Sequence, residues 1–233
     1  MVKEKRYIDL HCHTTCSDGE QTVSEVIDAA YKQGMKAIAL TDHNCFAIYE
    51  PRREKDMSII PGCEFSVKYT AKNGKNKEIH IIGLFFDGAD PALNSLFEGI
   101  DKLAYVKAIL RQLEDLGMHI TLEEIRNRFP DAEHIGRQQI AALLVSKGYA
   151  KDITDAFDSW IGNFSPYYLD PIDFVTYVPM EKCVRAITEA NGLAILAHPF
   201  HYRMNDDEVE ELIRDFRRIS DGPMGIEVYY WKY

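Results

Sequence analysis

No apolar run in this chain of 233 residues is long enough to cross a bilayer, and the first ten residues, MVKEKRYIDL, hold no apolar signal core. Internal repeats and low-complexity tracts are missing too. Cysteine is sparse: Cys12, Cys16, Cys45, Cys63 and Cys183 are an odd number, and without an export signal they point to reduced thiols in a cytoplasmic protein, not a disulfide framework. No second cysteine pair follows Cys12 and Cys16 at ligand spacing, which argues against a thiolate zinc site. Positive charge is in deficit, with 27 Lys+Arg against 37 Asp+Glu and a formal net charge of -10. That balance excludes a duplex-binding face. It also repels a phosphorylated substrate unless bound divalent ions invert the local field.

The length fits one large α/β domain, or a domain carrying an insertion. Apolar, β-rich runs recur at 6–13 (RYIDLHCH), 36–43 (KAIALTDH), 58–64 (SIIPGCE), 78–86 (EIHIIGLFF), 193–199 (LAILAHP) and 225–231 (GIEVYYW). Most are followed by helical patterns, which predicts βα units around a parallel sheet. Thr22 and Glu25 form a capping box ahead of the apolar face Val23, Val26, Ile27 and Ala30, and Gly34 suits the C-terminal end. A second such unit runs from Pro179 through Val184, Ile187 and Ala190 to Gly192. Residues 91–169 break the rhythm with successive helical patterns and no strand. The organisation expected is therefore 1–90 and 170–233 as one scaffold, interrupted by a helical insertion at 91–169.

Period-two geometry in YIDLHCH puts Asp9, His11 and His13 on one strand face and Ile8, Leu10 and Cys12 on the other. Two imidazoles on one face can chelate an ion, although a solvated strand end has the same pattern. His43, Glu64 and His198 close other strands, and His80 lies within one. Singly these read as a turn histidine, a surface carboxylate and a core histidine. Jointly, five of the eight histidines fall on strands or strand ends, where a parallel barrel gathers its active site. His119, His134 and His201 are left out, His201 being nearest to the others through His198. Imidazoles with carboxylates suit Mn²⁺, Fe²⁺ or Zn²⁺ better than Mg²⁺ alone, and so many candidates can hold more than one ion.

In order, DLHCHTTCSDG, ALTDHN, IPGCEFS, EIHIIGL, HIGRQQIAALLVSKG and AILAHP resemble the motifs of the polymerase-and-histidinol-phosphatase (PHP) superfamily. The resemblance covers nearly the whole chain, and is nearest to phosphoesterases with a helical insert that act on nucleoside 3',5'-bisphosphates and on 5' ends of short RNA. It implies a distorted (β/α)7 TIM-like barrel holding two to three divalent ions. Carried over, His11 and His13 bind a first ion, Glu64 bridges it to a second held by His80 and His198, and Asp18 and His43 hold a third. Glu64, Asp18 and His43 are the expected catalytic set, with a metal-bound hydroxide near Glu64 attacking phosphorus. Asp42 is expected to orient His43. Arg137, with Gln138 beside it, is expected to meet substrate phosphate or sugar at a helix N-terminus. No protein partner is implied.

The chain departs from the resemblance twice. The superfamily closes on a Gly-Ser-Asp-x-His-like motif, whereas this chain reaches Tyr233 in GIEVYYWKY without one. The expectation is a truncated form of a longer protein whose last barrel strand is missing here; the alternative is an incomplete metal site. Asp206 and His201 lie too early to substitute. Where the relatives carry an Arg-x-x-Arg pair in the first insert helix, the alignment here gives Lys102 and Tyr105. Lysine keeps charge without the bidentate fork and tyrosine keeps a hydroxyl, which weakens the expectation of a bisphosphate. The rival readings are a histidinol-phosphate phosphatase, against which the long insert argues, and a non-catalytic module that binds metal or nucleotide.

Overall fold

Alternating side chains in IDLHC build strand β1 (Ile8–Cys12), and helix α1 (Val23–Lys32) carries the chain back to β2 (Ala37–Leu40), parallel to β1. The Thr22–Glu25 capping box forms as expected, and Gly34 ends the unit at φ +76°, a backbone region that disfavours any residue with a Cβ. This computed structural model describes residues 7–47, 52–54, 56–130, 132 and 135–230, so His134 lies outside the described residues.

Strands β3 (Arg52–Glu54), β4 (Met57–Thr70), β5 (Asn76–Leu84), β6 (Leu193–Leu196) and β7 (Met224–Ile226) complete a mixed α/β fold. The sheet runs β1-β2-β4-β5-β6-β7, with β3 paired to β4 off that path. It is not uniformly parallel. β4 does not stop at Glu64 but continues to Thr70 and turns into an antiparallel hairpin with β5, and β5 is antiparallel to β6 as well. The physical reason is a tight turn at Asn73-Gly74, where Gly74 takes φ +81° and Ala71 pairs with Lys75.

Helices α2 (Pro91–Asn94), α3 (Leu103–Asp115), α4 (Leu122–Arg128), α5 (Arg137–Ser146) and α6 (Ile153–Ala156) follow, α6 running into a π-helical turn at Phe157–Ile161. Leu93 and Leu96 pack with the sheet, whereas Tyr105 to Tyr177 enclose a separate apolar cluster around Ile125, Ile140 and Leu144. Helices α7 (Met180–Glu189) and α8 (Asp206–Arg217) return to the scaffold and bury Val184, Ile187, Leu212 and Phe216 against Phe65, Ile79 and Ile81.

The opposite sheet face carries Ile60, Ile82 and Leu84, packed with Ala39 and Ala197. Alternation along β4 and β5 places Glu64 and His80 on that same face, above this small apolar layer. In β1 the alternation breaks. A register shift between Asp9 and Cys12 leaves Leu10 with this inner layer and Cys12 with the cluster under α1, so the two do not share a face. Among the described residues β1 and β7 end the strand path and β3 is a further edge; Tyr7 and Ile8 at the start of β1 and Val228 and Tyr229 beyond β7 are exposed.

Candidate metal centre

Glu64 is 1% exposed and five imidazoles converge on it. Its Oε1 lies 2.8 Å from His80 Nδ1 and 2.8 Å from His198 Nε2. Its Oε2 lies 3.4 Å from His11 Nε2, 3.2 Å from His13 Nε2 and 3.1 Å from His43 Nδ1. Strands supply them: His11 from β1, His43 from a bridge to Glu64 just past β2, His80 from β5 and His198 just past β6. His198 sits at φ +23°, ψ 61°, a strained backbone for a residue with a Cβ.

Three sets of donor atoms lie mutually within 4.8 Å: His11, Glu64 and His198; His13, Asp18 and His43; and His43, Glu64 and His80. Together these sets take in all seven expected ligands, and His11 and His13 both approach Glu64 Oε2. The bulge in β1 and the end of the strand at Cys12 place His13 in the loop, where its Nδ1 meets Asp18 Oδ1 at 2.9 Å. His80 and His198 both approach Glu64 Oε1, at 2.8 Å each. Asp42, next to His43, is fully buried. Its carboxylate accepts from Thr14 N, Thr14 Oγ1 and Ser17 Oγ at 2.7, 2.8 and 2.6 Å, tying down the loop that holds His13 and Asp18.

The donors fit a metal. Ligand bonds of about 2.1 Å set ligand–ligand separations of roughly 3.0–3.4 Å, which is the spacing found around Glu64. His43 Nδ1 and His198 Nδ1 are buried without a hydrogen bond. His43 Nδ1 is 3.1 Å from a carboxylate oxygen yet out of hydrogen-bond alignment, as expected of a lone pair aimed at an ion.

Without an ion these charges lean on one another. Burial alone lowers His11, His13 and His80, but the carboxylates more than offset it: Glu64 and Glu227 raise His11 to about 9, Asp18 and Glu64 raise His13 to about 10, and Glu64 and Glu78 raise His80 to about 9. For His43 burial wins, lowering it to about 3, and His198 is lowered for the same reason. Burial opposes ionisation of Glu64 and Asp18, yet the surrounding histidines hold both well below the usual carboxylate range.

Two carboxylates that the motif analysis passes over complete the frame. Glu227, just past β7, accepts from His11 Nδ1 at 3.0 Å and from the His198 backbone N–H at 2.8 Å, so one side chain fixes two members of one donor set. It obeys the strand-end rule that flags the histidines. Glu78 lies 3.6 Å from His80 Nε2, an ion-pair distance too long for a hydrogen bond. Burial would raise Glu78, but His80 and then Lys102 hold it at about 2.

A cleft between the sheet and the helices opens from this centre as two joined cavities of about 690 and 450 Å³. Asp18, His43, His80, Arg137 and Gln138 line both. The larger also takes in Lys102 and Tyr105, so all four expected substrate residues border it. Tyr105 is buried with its hydroxyl donating to Leu169 O at 3.2 Å. The smaller cavity covers His11, His13, Glu64, His198 and His201.

The PHP domain profile matches residues 9–229. A 3',5'-nucleoside bisphosphate phosphatase from Chromobacterium violaceum is 32% identical over 95% of this chain and 76% of its own length. A 5'-3' exoribonuclease from Haemophilus influenzae is 29% identical over 91% of this chain and 76% of its own. Among solved structures, an amidohydrolase from Chromobacterium violaceum with bound sulfate and no metal superposes with a TM-score of 0.77 at 31% identity, covering 95% of this chain and 76% of that one. With its donor-rich sheet face and a match over nearly its full length, the chain belongs to the PHP domain family.

Proposed function

We propose that this protein is a metal-dependent phosphoesterase that hydrolyses phosphomonoesters of small nucleotides, such as a nucleoside 3',5'-bisphosphate or the 5' end of a short oligonucleotide. The observation that carries the reading is the ring of five imidazoles around buried Glu64, opening into a cleft lined by Arg137. Relatives named as a bisphosphate phosphatase and an exoribonuclease support it. Two to three ions of Mn²⁺, Fe²⁺ or Zn²⁺ suit the imidazole and carboxylate donors, with Glu64, His11, His13, Asp18, His43, His80 and His198 as ligands. Bound there, divalent ions supply Lewis acidity toward the phosphoryl oxygens and lower the pKa of water.

The chain's own residues do the rest. The histidines around Glu64, and those around Asp18 in the loop, favour the charged form of each carboxylate. Arg137, raised further by its surroundings, stays cationic and neutralises a phosphate oxygen at the junction of the two cavities. We read residues 91–169 as the unit that recognises the substrate, and the curled sheet as a distorted (β/α)7 barrel with 1–90 and 170–233 as its two parts. No helix among the described residues is long and apolar enough to cross a membrane. Free thiols at Cys12, Cys16, Cys63 and Cys183 support a cytoplasmic setting.

The test is phosphate release by metal-loaded protein across nucleoside 3',5'-bisphosphates, short 5'-phosphorylated RNA, mononucleotides and histidinol phosphate. Turnover is expected on the nucleotides. Failure on every phosphate ester overturns the reading.

A further inference from the structure

Arg137 begins α5, but its guanidinium is held by a different element. NH1 donates to Asn163 Oδ1 at 2.6 Å and to the Ile161 carbonyl at a longer 3.5 Å, and the guanidinium carbon lies 5.8 Å from the centre of the Phe157 ring. Phe157 and Ile161 belong to one turn, and Asn163 lies just past it. Phe157–Ile161 is π-helical, a geometry that recurs at functional sites. Gly162 closes it by donating to Phe157 O at 2.7 Å, and a Cβ there would lie 2.5 Å from that oxygen. Asn163 follows at once.

Both ends of the Asn163 amide are used. A guanidinium only donates and a carbonyl only accepts, so Oδ1 must face Arg137 while Nδ2 donates to the His201 carbonyl at 3.2 Å. His201 ends the short 3-10 turn Pro199–His201 that begins right after His198. One side chain therefore links the cation of the helical unit to the turn that carries a metal-centre histidine. The hydrogen bonds and the ring contact of Arg137 are to neutral groups, and the carboxylates of Glu78 and Asp18, which line the same cavity, act on its charge without a direct contact.

We propose that Asn163 is a positioning residue whose amide holds Arg137 at the junction of the two cavities, registered to the His198 turn, and that phosphate affinity depends on it. An Arg side chain carries large rotamer freedom, and fixing it beforehand removes a cost otherwise met on binding. The inference rests on the reading that Arg137 meets a phosphate.

Calorimetry with inorganic phosphate on the metal-loaded protein tests it without relying on turnover. N163A is expected to weaken phosphate binding about 10-fold, the scale of a hydrogen bond to a charged group. R137A should weaken it at least as much, and N163A added to R137A should change nothing further. Soluble guanidinium should restore binding to R137A while Asn163 is present and fail once it is replaced, an effect that a merely structural role would not produce. N163S serves if N163A fails to fold. Unchanged affinity in N163A, or losses that add in the double variant, overturns the proposal. Wild-type protein that binds inorganic phosphate normally but hydrolyses no ester would sink the functional reading and leave this one standing.

Discussion

Glu227 holds His11 by its ring and His198 by its backbone. A carboxylate on the far nitrogen of an imidazole fixes its tautomer and raises its basicity toward an ion. Glu227→Gln is therefore expected to lower metal affinity about 10–100-fold, read by titration with a competing chelator, with the fold unchanged by circular dichroism. Unaltered affinity would remove Glu227 from the site. The titration behaviour gives a second expectation. His11, His13 and His80 are raised, so their contribution to stability is complete below the unfolded value of 6.5 and is lost as pH climbs toward 9–10. His43 and His198 are lowered, so theirs is present above 6.5 and is lost as pH falls. The melting temperature of metal-free protein should peak near pH 6.5 and decline on both sides. Saturation with metal should abolish the alkaline decline, because ions replace the protons. A metal-free melting temperature flat from pH 6.5 to 9 would refute the charge arrangement.

The helical unit encloses its own apolar cluster, with Ile125, Ile140 and Leu144 at 0% exposure. Leu144→Ala should cost about 2–5 kcal/mol in denaturant titration while metal content stays constant. Loss of metal in that variant would mean the helices and the metal centre form one cooperative unit. The helices were legible because their patterns are local, and the structure adds a capping box at Thr121–Glu124. The βα unit at Thr22 was legible for the same reason. The hairpin was not, although Asn73-Gly74 is a strong turn signal, because Glu64 reads naturally as a strand end and draws attention from the β-rich FSVKYT beyond it. The donor residues could be named from strand positions. A bulge between Asp9 and Cys12 carries no sequence mark and separates Leu10 from Cys12. Asn163 had no signal at all, since its role comes from two partners 26 and 38 residues away.

Across the whole molecule, a chain of net charge -10 packs five histidines around one carboxylate, and without metal three of them, His11, His13 and His80, gather positive charge in one place. The sheet edges have a consequence for handling. Tyr7 and Ile8 flank one, and Val228 and Tyr229 lie just past another, at 50%, 63%, 70% and 93% exposure. Open apolar edges recruit further strands, so a concentrated sample should associate edge to edge, and light scattering should show its mass rising with concentration. Ile8→Lys, placed three residues before His11, should suppress that rise and spare metal content. A sample of constant mass would show the edges to be inert. Solution behaviour and ion binding would then be engineered separately on a single strand, since β1 carries an adhesive margin at one end and a donor histidine near the other.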